Sequence, residues 1–392
     1  MLAGTREKFL KAMPDSAIIG SNMAPQFYLT DWISGDTGKK KMREIKWQEK
    51  SKEKRNKNRS TERSIPGGSM NREVLYKQET FVLPDNGPTI EPVIGRFMHG
   101  ESPVWHHPSQ EFSFVDTVAQ KVCTYHTRRE ELVCAVIQNG PVGFVVPVNN
   151  VPGKFVVGSG TDLVSVHMPH YAGATRINTE TLITVDVKTN GTRWNDAKAD
   201  SLGRLWGGMI GPELNERVVP NEAAFYRINS DLTLQVELPN VTNSNGLIWN
   251  LQEDTLYYID SATHQVAAFD FDSIRGSISN KRIVFDLEGT SYSGILDGMT
   301  IDANGNLWIA LYNGGGILNV DPLTGKIIQF VEFPVSKVTS CTFGGFLLDT
   351  LYVTTSSRDL SEQELRDQPL AGFVFSVKGL GVRGIPSNSF NL

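Results

Sequence analysis

An all-β chain closed into a six-bladed propeller is the fold this sequence predicts, and three observations predict it. From about residue 71 onward, short apolar and aromatic runs alternate with Gly, Asn, Asp and Pro turns, the texture of short strands and tight turns. One turn-and-strand pattern returns six times, anchored at Phe112, Phe155, Leu205, Leu256, Leu307 and Leu351. The gaps between anchors are 43, 50, 51, 51 and 44 residues, the period of four-stranded blades and too long for the shorter solenoid repeats.

Each unit can be read in order. The anchor strands are QEFSFVD, GKFVVG, GRLWGG, DTLYYID, GNLWIA and DTLYVTT. A second strand follows each after a short turn: KVCTYHT, DLVSVHM, AAFYRIN, QVAAFDFD, GGILNVD and GFVFSV. The glycine stretch NGGGIL (313–318) lies between two such strands and reads as a turn within a blade. Strands upstream of Glu101, around REVLYKQETFVL, are expected to pair with the last blade, closing the ring and removing exposed sheet edges. A β-sandwich is the alternative, but its strands come at regular short spacing without a recurring four-strand motif.

The chain divides by charge. Residues 1–70 hold 15 Lys/Arg against 8 Asp/Glu, whereas residues 71–392 hold 23 against 35. The basic run Lys39 to Arg59 sits in a segment too poor in apolar residues to fold alone, so residues 1–70 are read as a disordered extension and 71–392 as the propeller. An acidic body argues against nucleic-acid binding. No apolar run approaches the roughly 20 residues of a membrane span, so no membrane partner is expected. The first residues, MLAGTREKFLKAMPDS, carry charge where a secretory peptide needs an apolar stretch. The predicted address is cytoplasmic, or nuclear if the basic run acts as a signal. Cys123, Cys134 and Cys341, an odd and sparse set, are expected to be reduced, buried thiols.

The polar residues within the repeat carry the chemistry. Counting back 10 or 11 positions from five of the anchors reaches Glu101, Asn195, Asn245, Asp297 and Ser340. Equivalent positions in a propeller lie on a circle about its axis, so these side chains should meet at one mouth of the channel. Carboxylates brought together repel, so either one carboxyl keeps its proton or a cation lies between them. Glu101, Asp297 and the Asn245 carbonyl offer only oxygen, which suits one divalent ion of the hard type, Ca²⁺, Mg²⁺ or Mn²⁺, with Zn²⁺ less typical. Arg193, in TRWNDAKAD, adds a guanidinium fitted to fork several oxygens, unless it pairs with Asp196 or Asp200. His106 and His107 fall in a turn. There is no G-x-S-x-G elbow and no Walker motif.

GESPVW (100–105), NGTRWNDAKADSLGRLW (190–206), SNGLIWN (244–250), LDGMTIDANGNLWIALYNGG (296–315), VTSCTFGG (338–345) and GLGVRGI (379–385) together resemble the regucalcin family. That family also holds the gluconolactonases and luciferin-regenerating enzymes. The resemblance runs in order from about residue 85 onward and implies a propeller with a central divalent metal. It implies Glu101, Asn245 and Asp297 as metal ligands, with Asp297 doubling as acid/base. Arg193, Asn195 and Glu213 would contact a small lactone substrate, which the enzyme would hydrolyse. Ala197 stands where the family usually has Gly, NGGGI lacks the larger side chain that often follows YNGG, and the loop from Gly211 to Asn221 diverges. These departures bear on substrate identity more than on the metal. A calcium-binding regulator without important catalysis, or a hydrolase of luciferin-like or organophosphate compounds, are the competing functions.

Overall fold

The computed structural model describes residues 87–169, 177–215 and 217–392. The extension 1–70 and the REVLYKQETFVL segment lie outside the described residues. A strand β1 (Thr89–Ile94) opens the fold. Blade 1 follows as β2 (Gly100–His106), β3 (Glu111–Asp116), β4 (Lys121–His126) and β5 (Glu131–Val136). Blade 2 is β6 (Val142–Pro147), β7 (Lys154–Ser159), β8 (Asp162–His167) and β9 (Thr179–Thr184). Blade 3 is β10 (Arg193–Ala199), β11 (Leu205–Ile210), β14 (Ala223–Ile228) and β15 (Leu234–Val241), with a small hairpin, β12 (Glu213–Leu214) and β13 (Arg217–Val218), set into it. Blade 4 is β16 (Ser244–Trp249), β17 (Thr255–Asp260), β18 (Gln265–Asp272) and β19 (Ser277–Asp286). Blade 5 is β20 (Ile295–Ile301), β21 (Leu307–Tyr312), β22 (Gly316–Asp321) and β23 (Lys326–Glu332). Blade 6 is β24 (Val338–Gly344), β25 (Thr350–Thr355) and β26 (Val374–Lys378), and a short helix α1 (Glu362–Asp367) lies between the last two.

Each blade is an antiparallel meander, and β1 completes the sixth by pairing with β26. The ring therefore closes by joining the start of the described chain to its last blade, as expected, but through TIEPVI. All six anchors fall on the second strand of a blade, and all are buried. The first strands β2, β6, β10, β16, β20 and β24 contact one another in a closed cycle, which makes them the wall of the axial channel. Aromatic and branched residues from successive blades interleave between the sheets, as where Trp194 of blade 3 meets Phe144 of blade 2 and Phe225 of blade 3 meets Tyr258 of blade 4. Burial of that kind drives the closure.

The turns between first and second strands are pinned by buried acids. Asp200 accepts from the backbone N–H of Leu202 and Arg204 and from Trp206 Nε1; Asp302 does the same for Asn304, Asn306 and Trp308 Nε1. The two D-x-x-G-x-L-W segments are thus one turn built twice. Beyond β26 the chain crosses this end of the channel as an irregular strap. It bonds the turns of blades 6, 5, 3 and 2 in passing, through Gly384 to Leu348, Ala303 to Arg383, Asn391 to Gly203 and Phe390 to Pro147.

One sequence expectation is overturned. Cys123 and Cys134 form a disulfide, leaving Cys341 as the free thiol. The two stand opposite each other in the β4–β5 register with Cα atoms 4.1 Å apart, and a count of cysteines cannot show that cross-strand pairing. Among the described residues no helix is long and apolar enough to cross a membrane.

Candidate active site

The inner strands share a local irregularity. In every one of them the pairing register shifts near the strand's start: between Glu101 and Val104, Val142 and Phe144, Trp194 and Ala197, Ser244 and Leu247, Leu296 and Met299, and Val338 and Ser340. A bulge re-aims side chains out of the alternating pleat. Glu101, Asn195, Asn245 and Asp297 all sit at or inside these bulges. Two of the bulges need glycine because neighbouring inner strands approach closely. A Cβ on Gly246 would stand 2.6 Å from Met299 Cβ and 2.7 Å from the Asp297 carbonyl, and one on Gly298 would run into the Ser340 side chain.

The loops entering the inner strands are clamped as well. Asp116 accepts from the N–H of Met98 and His99, and Asp260 from those of Thr242 and Asn243. The approach to Glu101 and to Asn245 is thereby fixed two residues before each.

Glu101 and Asp297 are both buried. Burial first, then the charges of Asp297 and Asp196, lifts the Glu101 carboxyl well above its usual range. Burial first, and Asp196 after it, lifts Asp297 likewise, against hydrogen bonds from Asn245 and the Gly298 N–H. Neither carboxyl forms an ion pair with Lys or Arg among the described residues. Asn245 donates to Ser261 Oγ at 3.0 Å, and Ser261 donates onward to the Leu296 carbonyl at 2.7 Å. With its amide so committed, the Asn245 carbonyl oxygen is left as a lone-pair donor.

The donor set fits a divalent cation. Two desolvated carboxyls, both also lifted by the charge of Asp196, are the environment in which a bound cation is favoured over two separate charges. Glu101, Asn245 and Asp297 would supply the protein ligands. A nitrogen stands close by that sequence reasoning missed. His99 Nε2 lies 3.9 Å from Glu101 Oε1, and its Nδ1 contacts Ser356 Oγ at 2.9 Å. Ser356 gives its one proton to the Met98 carbonyl, so His99 Nδ1 must be the donor and Nε2 carries a lone pair. Burial, reinforced by Arg193, Arg358 and Lys337, lowers the His99 pKa to about 3. The imidazole is therefore neutral, and its contact with Glu101 is not an ion pair.

Arg193 and Asn195 stand beside the carboxyls as a preassembled pair. Arg193 Nη1 donates to Asn195 Oδ1 and to the Trp194 carbonyl, both at 3.1 Å. Asn195 Nδ2 donates to the Ser244 carbonyl at 2.8 Å, tying blade 3 to blade 4. Arg193 makes no ion pair with Asp196 or Asp200; Asp200 binds Arg204 instead, at 2.6 Å. Glu213, on the β12–β13 hairpin, lines a cavity of about 300 Å³ together with Arg193 and Arg358. Arg358 forks onto Glu213 and lowers its pKa. The structure thus brings Arg193 and Glu213 to one cavity wall and Glu101, Asn245 and Asp297 into one charge-coupled group. His106 takes no part, its Nδ1 bonding Ser109 Oγ at the outer end of β2. Asp196, read only as an alternative partner of Arg193, and Lys198 lie further down the axis, where burial raises the Asp196 carboxyl and lowers the Lys198 amine.

The fold and the site together define the class: a six-bladed β-propeller whose inner strands carry an acidic, amide-lined axial site. Residues 99–357 match the family described as the SMP-30/Gluconolactonase/LRE-like region, and the chain belongs to it. Human regucalcin is 38% identical over 292 residues, covering 74% of this chain and 94% of its own. A solved luciferin-regenerating enzyme is 32% identical with a TM-score of 0.73, covering 78% of this chain and all of that one. The regucalcin of Agrobacterium tumefaciens, described as a calcium-binding protein, shares the fold with a TM-score of 0.68 at 18% identity.

Proposed function

We propose that this protein is a divalent-metal-dependent hydrolase that opens small sugar lactones. The observation that carries this reading is the meeting of two buried, proton-avid carboxyls, Glu101 and Asp297, with a guanidinium–amide pair, Arg193 and Asn195, at one mouth of the channel. A metal store alone has no use for the second half of that arrangement.

Glu101, Asn245 and Asp297 would hold the ion, which when bound supplies Lewis acidity toward a carbonyl and lowers the pKa of water. Asp297 is the acid/base: it accepts a proton from the attacking water and returns it to the ring oxygen as the C–O bond breaks. Asn245 and the Gly298 N–H keep its carboxylate aimed while it does so. Arg193, Asn195 and Glu213 bind sugar hydroxyls and orient the carbonyl toward the acidic group, turning encounter into a near-attack geometry. The all-oxygen ligand set favours Ca²⁺, Mg²⁺ or Mn²⁺, and the neighbouring His99 nitrogen makes Zn²⁺ compatible.

Two other readings share the same residues. The name regucalcin, borne by relatives at 38% identity, supports a calcium-binding role resting on Glu101, Asn245 and Asp297 alone. The luciferin-regenerating relative at 32% identity supports hydrolysis of a different small molecule. The test is a panel of lactones offered to metal-stripped protein resupplied singly with Ca²⁺, Mg²⁺, Mn²⁺ or Zn²⁺. Turnover restored by metal and lost on Arg193→Ala supports the lactonase. Tight metal binding with no lactone opened by any ion would overturn it in favour of the regulator.

A further inference from the structure

Four of the six blades join their second strand to their third by a turn of at most four residues, but blades 3 and 6 do not. Blade 3 inserts the β12–β13 hairpin there, and blade 6 inserts the segment that carries Arg358 and helix α1. In a ring of six, blades 3 and 6 face each other across the axis. Their two insertions meet: Arg358 of blade 6 forks onto Glu213 of blade 3, 145 positions away in the chain, through Nη1–Oε1 at 3.3 Å and a second, shorter bond to Oε2.

The two partners are held very differently. Arg358 is anchored at three points: its N–H donates to Ser356 Oγ at 3.0 Å, its carbonyl accepts from Lys337 Nζ, and its Nε pairs with Asp359 at 2.9 Å. Ser356 is the residue that also receives His99, beside Glu101. Glu213 lies on a two-residue strand with an exposed partner strand, and its carboxylate has no other hydrogen bond among the described residues. A long acidic side chain on such a hairpin samples many rotamers, and fixing it costs entropy at each binding event unless something fixes it beforehand.

We propose that Arg358 is a positioning residue that holds the Glu213 carboxylate in the cavity beside Arg193, ready to accept substrate hydroxyls. Through Ser356 the same contacts continue to His99, the neighbour of Glu101. This inference rests on the lactonase reading of Arg193 and Glu213, and it adds a residue from the opposite blade. Arg358 itself need not touch substrate.

The test is a double-mutant cycle of Arg358→Gln and Glu213→Gln in metal-loaded protein, with Arg358→Lys as the conservative variant. Each single change should raise KM about tenfold, the worth of one charge-assisted hydrogen bond, with kcat changed less than twofold. The double variant should be no worse than Glu213→Gln alone, and Arg358→Lys should recover part of the loss. A merely structural ion pair would lower the melting temperature and leave KM unmoved, which would overturn the proposal. Multiplying KM effects would also overturn it, because Arg358 would then act independently of Glu213. A lower KM or faster turnover in Arg358→Gln would show a latch that obstructs the mouth, the opposite of positioning. Calorimetric binding of gluconate to calcium-loaded protein runs the same cycle without turnover. A protein that opens no lactone yet shows the non-additive gluconate pattern would sink the lactonase and spare Arg358.

Discussion

The two ends of the axial channel are made from the same six inner strands and are physically opposite. At their starts the strands bulge, two carboxyls lie buried with no Lys or Arg ion pair among the described residues, and a cavity of about 300 Å³ opens between Arg193, Glu213 and Arg358. At their ends the strands pair regularly around a smaller cavity of about 80 Å³. Of the two carboxylates in its wall, Asp196 has an amine for a neighbour in Lys198, whose Nζ donates to the Met299 carbonyl at 2.6 Å, and Glu253 accepts from Ser201 Oγ. The C-terminal strap closes that end, with Ile385 to Asn388 in the cavity wall and Phe390 fully buried beyond it. One end therefore keeps unbalanced charge and open volume; the other spends its chain on balance and closure. A propeller needs only one such open, charge-strained end to bind and act, and the second end can then serve stability.

The largest test of that contrast is catalytic. Asp297→Ala is expected to lower lactone turnover by about a thousandfold, the combined loss of an acid/base and a metal ligand. Asn388→Ala, at the closed end, removes only a 3.4 Å bond to the Ala199 carbonyl and should leave kcat/KM within twofold. Comparable losses from both would mean that the strap shapes the site and that the ends are not independent.

The next effect is on stability. Phe390 joins the core shared by blades 2, 3 and 4, and its backbone pairs with the Pro147–Asn149 turn. Phe390→Ala should cost about 3 kcal/mol by cavity formation, read as a lowered urea midpoint. Metal affinity by calorimetry should stay that of the parent protein. Loss of metal binding in folded protein would couple the two ends.

Much of the open end was legible in the sequence because a sixfold repeat gives each slot a fixed meaning. Glu101, Asn195, Asn245 and Asp297 stand 10 or 11 positions before buried anchors, and circular symmetry converts matching slots into convergence. What the repeat does not carry was missed. Arg358 lies in an insertion present in one blade, so no slot marks it; its partner Glu213, in another such insertion, was reached through the family resemblance and not through the repeat. His99 precedes its strand and acts through Ser356, a contact spanning 257 positions. The Cys123–Cys134 bond depends on which residues stand opposite in β4 and β5, which composition cannot register. The strap over the closed end is likewise irregular chain, readable only once the turns it bonds are in place.

The smallest effect is also the most direct reading of the difference in charge balance. A carboxyl whose pKa is raised on folding contributes most stability below the ordinary carboxylate range and loses it as pH rises through the raised value. Asp297 is such a group, by burial first and the Asp196 charge second. In metal-free protein, Asp297→Asn should therefore be stabilising at pH 8, by about 2 kcal/mol, the cost of an uncompensated buried charge. The gain should shrink as pH falls toward 4, where the folded carboxyl is protonated and the unfolded one about half so. In calcium-loaded protein the sign should reverse, because the carboxylate then has its counter-charge and the amide is the poorer ligand. Melting curves of the two proteins from pH 4 to 8, with and without calcium, measure all three points. A pH-independent difference in the metal-free pair would show that Asp297 folds already neutralised by a partner within the chain, and the open end would then be as balanced as the closed one.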